Sequence, residues 1–213
     1  MRSIIGRAFA GASLFVMLAP VLAAADTPNP NLCAVPDILT VTPDATARVR
    51  MNIVGQQGPI ADAVVEITFT AQADGLIAWG SSQAHPVVTS VTDANGVADF
   101  YLAGGGCATA LEPGAFIAEV RADGVIVDKP TVVNSPDAVN SAGELPAESG
   151  VAPCEGGMTH VGLSDASFHT MSIFTAAVEP CSKYFGNPLD TVGLADAVFV
   201  TPYITEGVSG PCS

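Results

Sequence analysis

An apolar–polar alternation of period two constrains this chain more than any other feature. It recurs in short runs between residues 38 and 133, broken each time by turn formers. In ARVRMNIV, Ala47, Val49, Met51 and Ile53 share one side, while Arg48, Arg50 and Asn52 take the other. VVEITFT sets Val65, Ile67 and Phe69 against Glu66 and Thr68. GVADFYLA turns Ala98, Phe100 and Leu102 inward, and AFIAEVRA does the same with Phe116, Ala118 and Val120. Successive side chains of a strand point to opposite faces, so these runs predict half-buried strands. Asp93-Ala94-Asn95-Gly96, Asp74-Gly75 and Asp123-Gly124 supply residues that tolerate positive φ, and Gly58-Pro59 breaks another connection. Roughly six or seven short strands in about a hundred residues, with no helical period, predict an antiparallel β-sandwich.

The phrases QQGPIADAVVEITFT, TDANGVADFYLAGGGC and PGAFIAEVRADGV resemble the bacterial immunoglobulin-like repeats of invasin and intimin type. A transthyretin-like carboxypeptidase regulatory domain has a similar grammar of turns and strands. Both are β-sandwiches. The resemblance implies a spacer, adhesive stalk or binding accessory with no catalytic centre.

Three further segments flank the sandwich, which spans residues 26–134 with an N-terminal arm. Residues 1–25 carry Arg2 and Arg7, an apolar run from Ala8 and the small triplet Ala23-Ala24-Ala25, the pattern of a signal peptide. Residues 135–150 are small, polar and rich in turn formers, and are expected to be a linker. Residues 151–213 contain a duplication. Val161 to Ser182 set against Val192 to Ser213 match at eleven of 22 positions without a gap, including the closing Pro-Cys-Ser. That degree of in-register identity marks a duplicated unit. Leu163, Ala166, Phe168 and Ile173, with Leu194, Ala197, Phe199 and Ile204, predict one short helix per copy. Each helix is expected to cover the apolar face of the other. Pro202 is expected to limit or kink the second helix.

Paired loop–helix units with a recurring val-x-leu-x-asp resemble the type I dockerin family. That resemblance implies calcium-binding loops with ligands at positions 1, 3, 5, 7, 9 and 12, and docking on a cohesin. It puts Asp165 and Asp196 at position 12. Positions 1, 3 and 5 fall on Cys154, Gly156 and Met158 in the first copy, and on Phe185, Asn187 and Leu189 in the second. Calcium takes six to eight hard oxygens, and these loops offer too few. No metal is expected, and Asp165 and Asp196 read instead as helix N-terminal caps.

The formal charge is −14, and removal of Arg2 and Arg7 with residues 1–25 takes it to −16. Only Arg48, Arg50, Arg121, Lys129 and Lys183 then remain basic, which argues against nucleic acid or anionic lipid as a partner. After residue 25 no stretch is long and apolar enough to cross a bilayer, so no membrane insertion is expected. Five cysteines (Cys33, Cys107, Cys154, Cys181 and Cys212) lie in the exported part, where disulfides form. Cys33 with Cys107 is the expected bond. Cys154 is expected to pair with Cys181 or Cys212, leaving one thiol over.

No catalytic residue emerges. His85, His160 and His169 have no zinc-protease spacing, Gly104-Gly105-Gly106 lacks a following lysine and reads as a strand-end turn, and no G-x-S-x-G elbow exists. The expected protein is a mainly β sandwich plus a small α-helical pair, exported to the extracellular space, cell surface or periplasm. It has no enzymatic activity and no cofactor, and its partner is a protein or cell-surface component. The alternative is a carbohydrate-binding accessory that uses Trp79 or the loops around Asp93 on a glycan.

Overall fold

A computed structural model describes residues 26–80, 85–152 and 161–208. The expected signal peptide (residues 1–25), Cys154, His160, Cys212 and the first copy's residues 153–160 lie outside the described residues.

The molecule is mainly β. Strands β1 (Ile38–Thr40), β2 (Arg48–Asn52), β3 (Val64–Phe69), β4 (Ile77–Trp79), β5 (Val87–Val91) and β6 (Val97–Tyr101) precede β7 (Gly104–Gly106) and β8 (Ala108–Thr109). Then come β9 (Ala118–Ala122), β10 (Val125–Asp128) and β11 (Val132–Asn134). One antiparallel sheet runs β10-β9-β3-β5. Across the core lie the antiparallel pairs β2–β6 and β4–β7, and the three-stranded sheet β1-β11-β8. In that sheet β1 and β11 run parallel.

The inner faces are those that the alternation marks. Val65, Ile67 and Phe69 of β3 and Ala118, Val120 and Ala122 of β9 meet Val49 and Met51 of β2 and Ala98 and Phe100 of β6 in one core. Burying the valine, isoleucine, methionine and phenylalanine side chains among these stabilises a fold by roughly 1.5–3 kcal/mol each. Phe116 departs from the expected register. Ile117 is buried instead, while Phe116 is half-exposed beneath the Lys129 ammonium, 4.4 Å from its ring centre. The alternation holds only from Ala118, where pairing with β3 begins.

The expected turns have the required backbone. Asp123 and Gly124 both take positive φ and join β9 to β10. Asp93 Oδ1 accepts the N–H groups of Asn95 and Val97 at 2.8 and 3.0 Å, and Gly96 has φ +74°. Gly104-Gly105-Gly106, expected as a turn, is instead a buried strand paired with β4. A Cβ on Gly104 would sit 3.0 Å from the Ala78 carbonyl oxygen, so only glycine lets these backbones approach.

The helical part comprises α1 (Pro146–Ser149), α2 (Leu163–Phe174) and α3 (Leu194–Glu206), with a 3₁₀ turn at Pro180–Ser182. Helix α3 runs on through Pro202 to Glu206, so the proline does not end it, although it leaves one helical hydrogen bond unmade and sets its ring against the Val198 carbonyl. The duplication has a two-fold logic. Val161 N–H donates to the Val208 carbonyl at 3.0 Å, and Val192 N–H donates to the Ala177 carbonyl at 2.9 Å. Both donors and both acceptors are 31 positions apart, so each copy's entry pairs with the other's exit.

Candidate functional site

The expected linker is the seam of the molecule. Asn134, Ser135, Asp137, Ala138, Val139 and Asn140 are all buried between the strands and the helices. Composition is a poor guide here because the segment has no periodic face; its small residues and backbone polar groups are satisfied by distant partners. The Asn134 amide donates to the carbonyls of Pro180 and Lys183, while its oxygen accepts from Thr40 Oγ1 at 3.2 Å.

Asp165 and Asp196 hold this seam. Each is the third residue of its helix and accepts the N–H of the glycine that precedes the helix, at 3.0 Å from Gly162 and 2.9 Å from Gly193. Each also reaches back to grip a loop. Asp165 Oδ1 accepts the N–H groups of Ala138 and Val139 at 2.9 and 3.1 Å. Asp196 Oδ1 accepts those of Tyr184 and Phe185 at 2.7 and 3.2 Å. Burial pushes the Asp165 carboxyl above its ordinary value, and the three N–H donors oppose that rise.

These carboxylates do not suit calcium. Both oxygens of each already accept backbone N–H groups, and the second copy brings its own cation. Lys183 Nζ lies 3.3 Å from Asp196 Oδ2 and donates to the Thr191 carbonyl at 2.8 Å, with only 11% of its side chain exposed. An ammonium in that place repels a divalent ion. Asn187 and Leu189 turn to their own loop, with Asn187 Oδ1 accepting the Leu189 N–H. Among the described residues no group of three or more His, Cys, Asp or Glu side chains is arranged to hold a metal ion.

The buried faces of the helices differ from the expectation. Asp165 and His169 on α2 correspond to Asp196 and Val200 on α3, and these positions are covered. Leu163 and Leu194, expected inside, are 86% and 79% exposed. The reason is the aspartate: turning it inward to grip its loop rotates the leucine two positions earlier outward. His169 is the centre of a polar network. Its Nδ1 meets Ser182 Oγ at 2.9 Å and its Nε2 lies 3.1 Å from the Pro136 carbonyl. Tyr184 OH donates to the Ser135 carbonyl at 2.9 Å. Burial lowers the His169 pKa to about 4, so the ring is neutral. The Ser182–His169 contact is sealed from solvent.

The disulfide expectation needs correction. Cys107 bonds to Cys181 across 74 residues, not to Cys33, and Cys181 is therefore not the partner of Cys154. It ties the strand end after β7 to the 3₁₀ turn at Pro180–Ser182. Cys33 is an unpaired, half-buried thiol among the described residues, and its Sγ accepts the Val54 N–H at 3.4 Å. Sequence spacing could not select this pair, because the seam that brings the two halves together was invisible in it.

Trp79 packs against Phe69 with ring centres 4.3 Å apart and planes tilted by 43°. Together with Pro86, Val88, Tyr101 and Leu102 they line an apolar slot of about 180 Å³. Its walls suit an aliphatic or aromatic group better than a sugar, which needs several hydrogen-bonding side chains. His85 and Asp74 form a surface pair at 2.7 Å. A larger groove of about 600 Å³ runs along α2, between Leu163, Phe168 and Met171 and the turn at Ser141–Gly143. The apolar side chains of α2 and α3 that face solvent are the features that no buried neighbour explains. Comparison of the chain with protein-family models, curated proteins and solved structures finds no match.

Proposed function

We propose that this is an exported, non-enzymatic interaction protein that docks a protein partner through the outer face of its duplicated helices, with the sandwich as spacer. The observation that carries the reading is the repetition of the exposed apolar positions. Leu163 recurs as Leu194, and Met171 and Phe174 on α2 and Val198 on α3 are likewise exposed. Large apolar side chains exposed in a group, beside a groove, are typical of interaction surfaces. The chain's formal charge of −14 favours a partner whose apolar patch has a basic rim. The Cys107–Cys181 bond supports an oxidising compartment, in keeping with the leader-like residues 1–25.

The test uses the whole chain, because the 3₁₀ turn between the helices shares buried contacts with β11. Wild type and the double variant Leu163→Asp/Leu194→Asp are immobilised and exposed to surface extracts of cells that express the protein. Circular dichroism and the urea midpoint check that the variant is folded. A protein held by wild type and released by the variant, and rebound after purification, supports the reading. Equal capture by both overturns it. Self-association of wild type alone in sedimentation, lost in the variant, replaces the foreign partner with a second copy. Glycan binding abolished by Trp79→Ala with the helical variant unaffected supports the carbohydrate alternative.

A further inference from the structure

Alignment of the two copies on their gripped loops puts Asp137 and Lys183 in the same place. Each immediately precedes the pair of N–H groups that Asp165 or Asp196 holds. In the second copy that position answers Asp196 with an ammonium group. In the first it adds a second carboxylate near Asp165. Asp137 is 0% exposed, and neither of its carboxylate oxygens has a hydrogen-bond partner among the described residues.

Asp137 sits in the joint itself. A Cβ on Gly105 of β7 would lie 2.9 Å from Asp137 Oδ2, so the carboxyl fills the space that the glycine strand leaves. Its backbone carbonyl accepts the Gly106 N–H, and its own N–H donates to Ser135 Oγ at 3.1 Å. The groups around it are accounted for. Strand β7 carries no titratable side chain. Helix α2 brings Asp165 and His169, the segment after Pro180 brings Lys183 and Tyr184, and α3 brings Asp196. His169 is engaged by Pro136 and Ser182, Tyr184 OH donates to Ser135, and Lys183 is committed to Asp196. No cation among the described residues answers Asp137.

We propose that Asp137 is a proton-binding site that latches the helical pair onto β7: the joint is tight while this carboxyl is neutral and loosens when it ionises. A neutral acid can be buried unpaired at modest cost, whereas an unpaired carboxylate cannot. Burial, reinforced by the charge of Asp165, pushes the Asp137 pKa up to about 7. An acid whose folded pKa lies above its unfolded value favours the folded state fully below about pH 4. It loses that contribution as pH rises through about 7. The Cys107–Cys181 bond keeps the halves tethered when the latch releases. This inference goes beyond the docking reading and does not depend on it.

Two measurements on the oxidised full chain test it. A ¹³C-carboxyl NMR titration of assigned wild-type resonances reads Asp137 directly. Urea unfolding from pH 4 to 8 compares wild type with Asp137→Asn. The Asp137 resonance is expected to titrate near pH 7. The unfolding constant of wild type relative to the variant is expected to rise about a thousandfold between pH 4 and 8. A resonance that titrates near pH 4, or a ratio constant within about twofold, overturns the proposal. If millimolar calcium or magnesium removes the wild-type slope, the compensating cation is a metal and the proton latch is likewise overturned. If the variant does not fold, the wild-type titration alone decides.

Discussion

Asp165 is the residue whose removal tests the seam most directly. Its carboxylate accepts three backbone N–H groups, from Ala138 at 2.9 Å, Val139 at 3.1 Å and Gly162 at 3.0 Å. Hydrogen bonds to a charged group contribute about 1.5–3 kcal/mol each, and an unsatisfied buried donor costs about 1–3 kcal/mol. Relief of the buried charge returns part of that loss. Asp165→Ala should therefore lower stability by roughly 3–4 kcal/mol. Asp165→Asn keeps an oxygen toward Ala138 and Val139 but turns an amide donor toward the Gly162 N–H, and should lose only about 1.5–2 kcal/mol. Urea unfolding of the oxidised full chain at pH 7 reads both. With a slope of about 2 kcal/mol per molar, the alanine variant's midpoint should fall by about 1.5–2 M and the asparagine variant's by about half as much. A shift below about 0.3 M for alanine, or equal shifts for both, would refute the claim that this carboxylate holds the buried loop.

Other outcomes follow from the same geometry. Replacing both Cys107 and Cys181 by serine removes a cross-link over 74 residues and should cost about 4 kcal/mol by loop entropy, read as a lower urea midpoint under non-reducing conditions. Lys183→Met leaves Asp196 buried without its ammonium and should destabilise by about 2–4 kcal/mol. The double variant Lys183→Met/Asp196→Asn should recover part of that, and no recovery would exclude a charge-pair origin. His169, with its pKa lowered to about 4, contributes stability that is complete above about pH 6.5 and lost as pH falls toward 4, about 3 kcal/mol in all. That slope opposes the one from Asp137 over the same range. His169→Val, which copies Val200 of the second helix, should expose a stability that falls steadily from pH 4 to 7; an unchanged profile would count against this balance.

Strand faces and turns were legible because they are local properties. Val49 and Met51, Val65 and Ile67, and Ala98 and Phe100 occupy the core side that the alternation assigns to them. A residue's face on a strand depends only on its parity, and Asp123-Gly124 needs only its own backbone freedom to turn. The duplication was equally plain in VGLSDA and VGLADA, and it predicted a helix in each copy. The candidate site was legible only as two aspartates near helix starts. Their inward orientation, and the outward turn of Leu163 and Leu194, could not be read from apolar spacing because a buried carboxylate outcompetes a leucine for the covered face.

The sequence by itself determined the strand faces, the turns, the repeated helix and the charge balance, since each is set by residues within a few positions of one another. Tertiary structure alone decided the rest. It chose Cys181 over Cys33 for Cys107, buried a segment whose composition reads as a linker, and set Asp165 against N–H groups 26 and 27 positions upstream. It also left Asp137 without a partner where the second copy has Lys183. The physical reason is common to all four: burial and hydrogen-bond partnership belong to pairs of groups, and a pair formed across the seam has no signature in either member's neighbourhood.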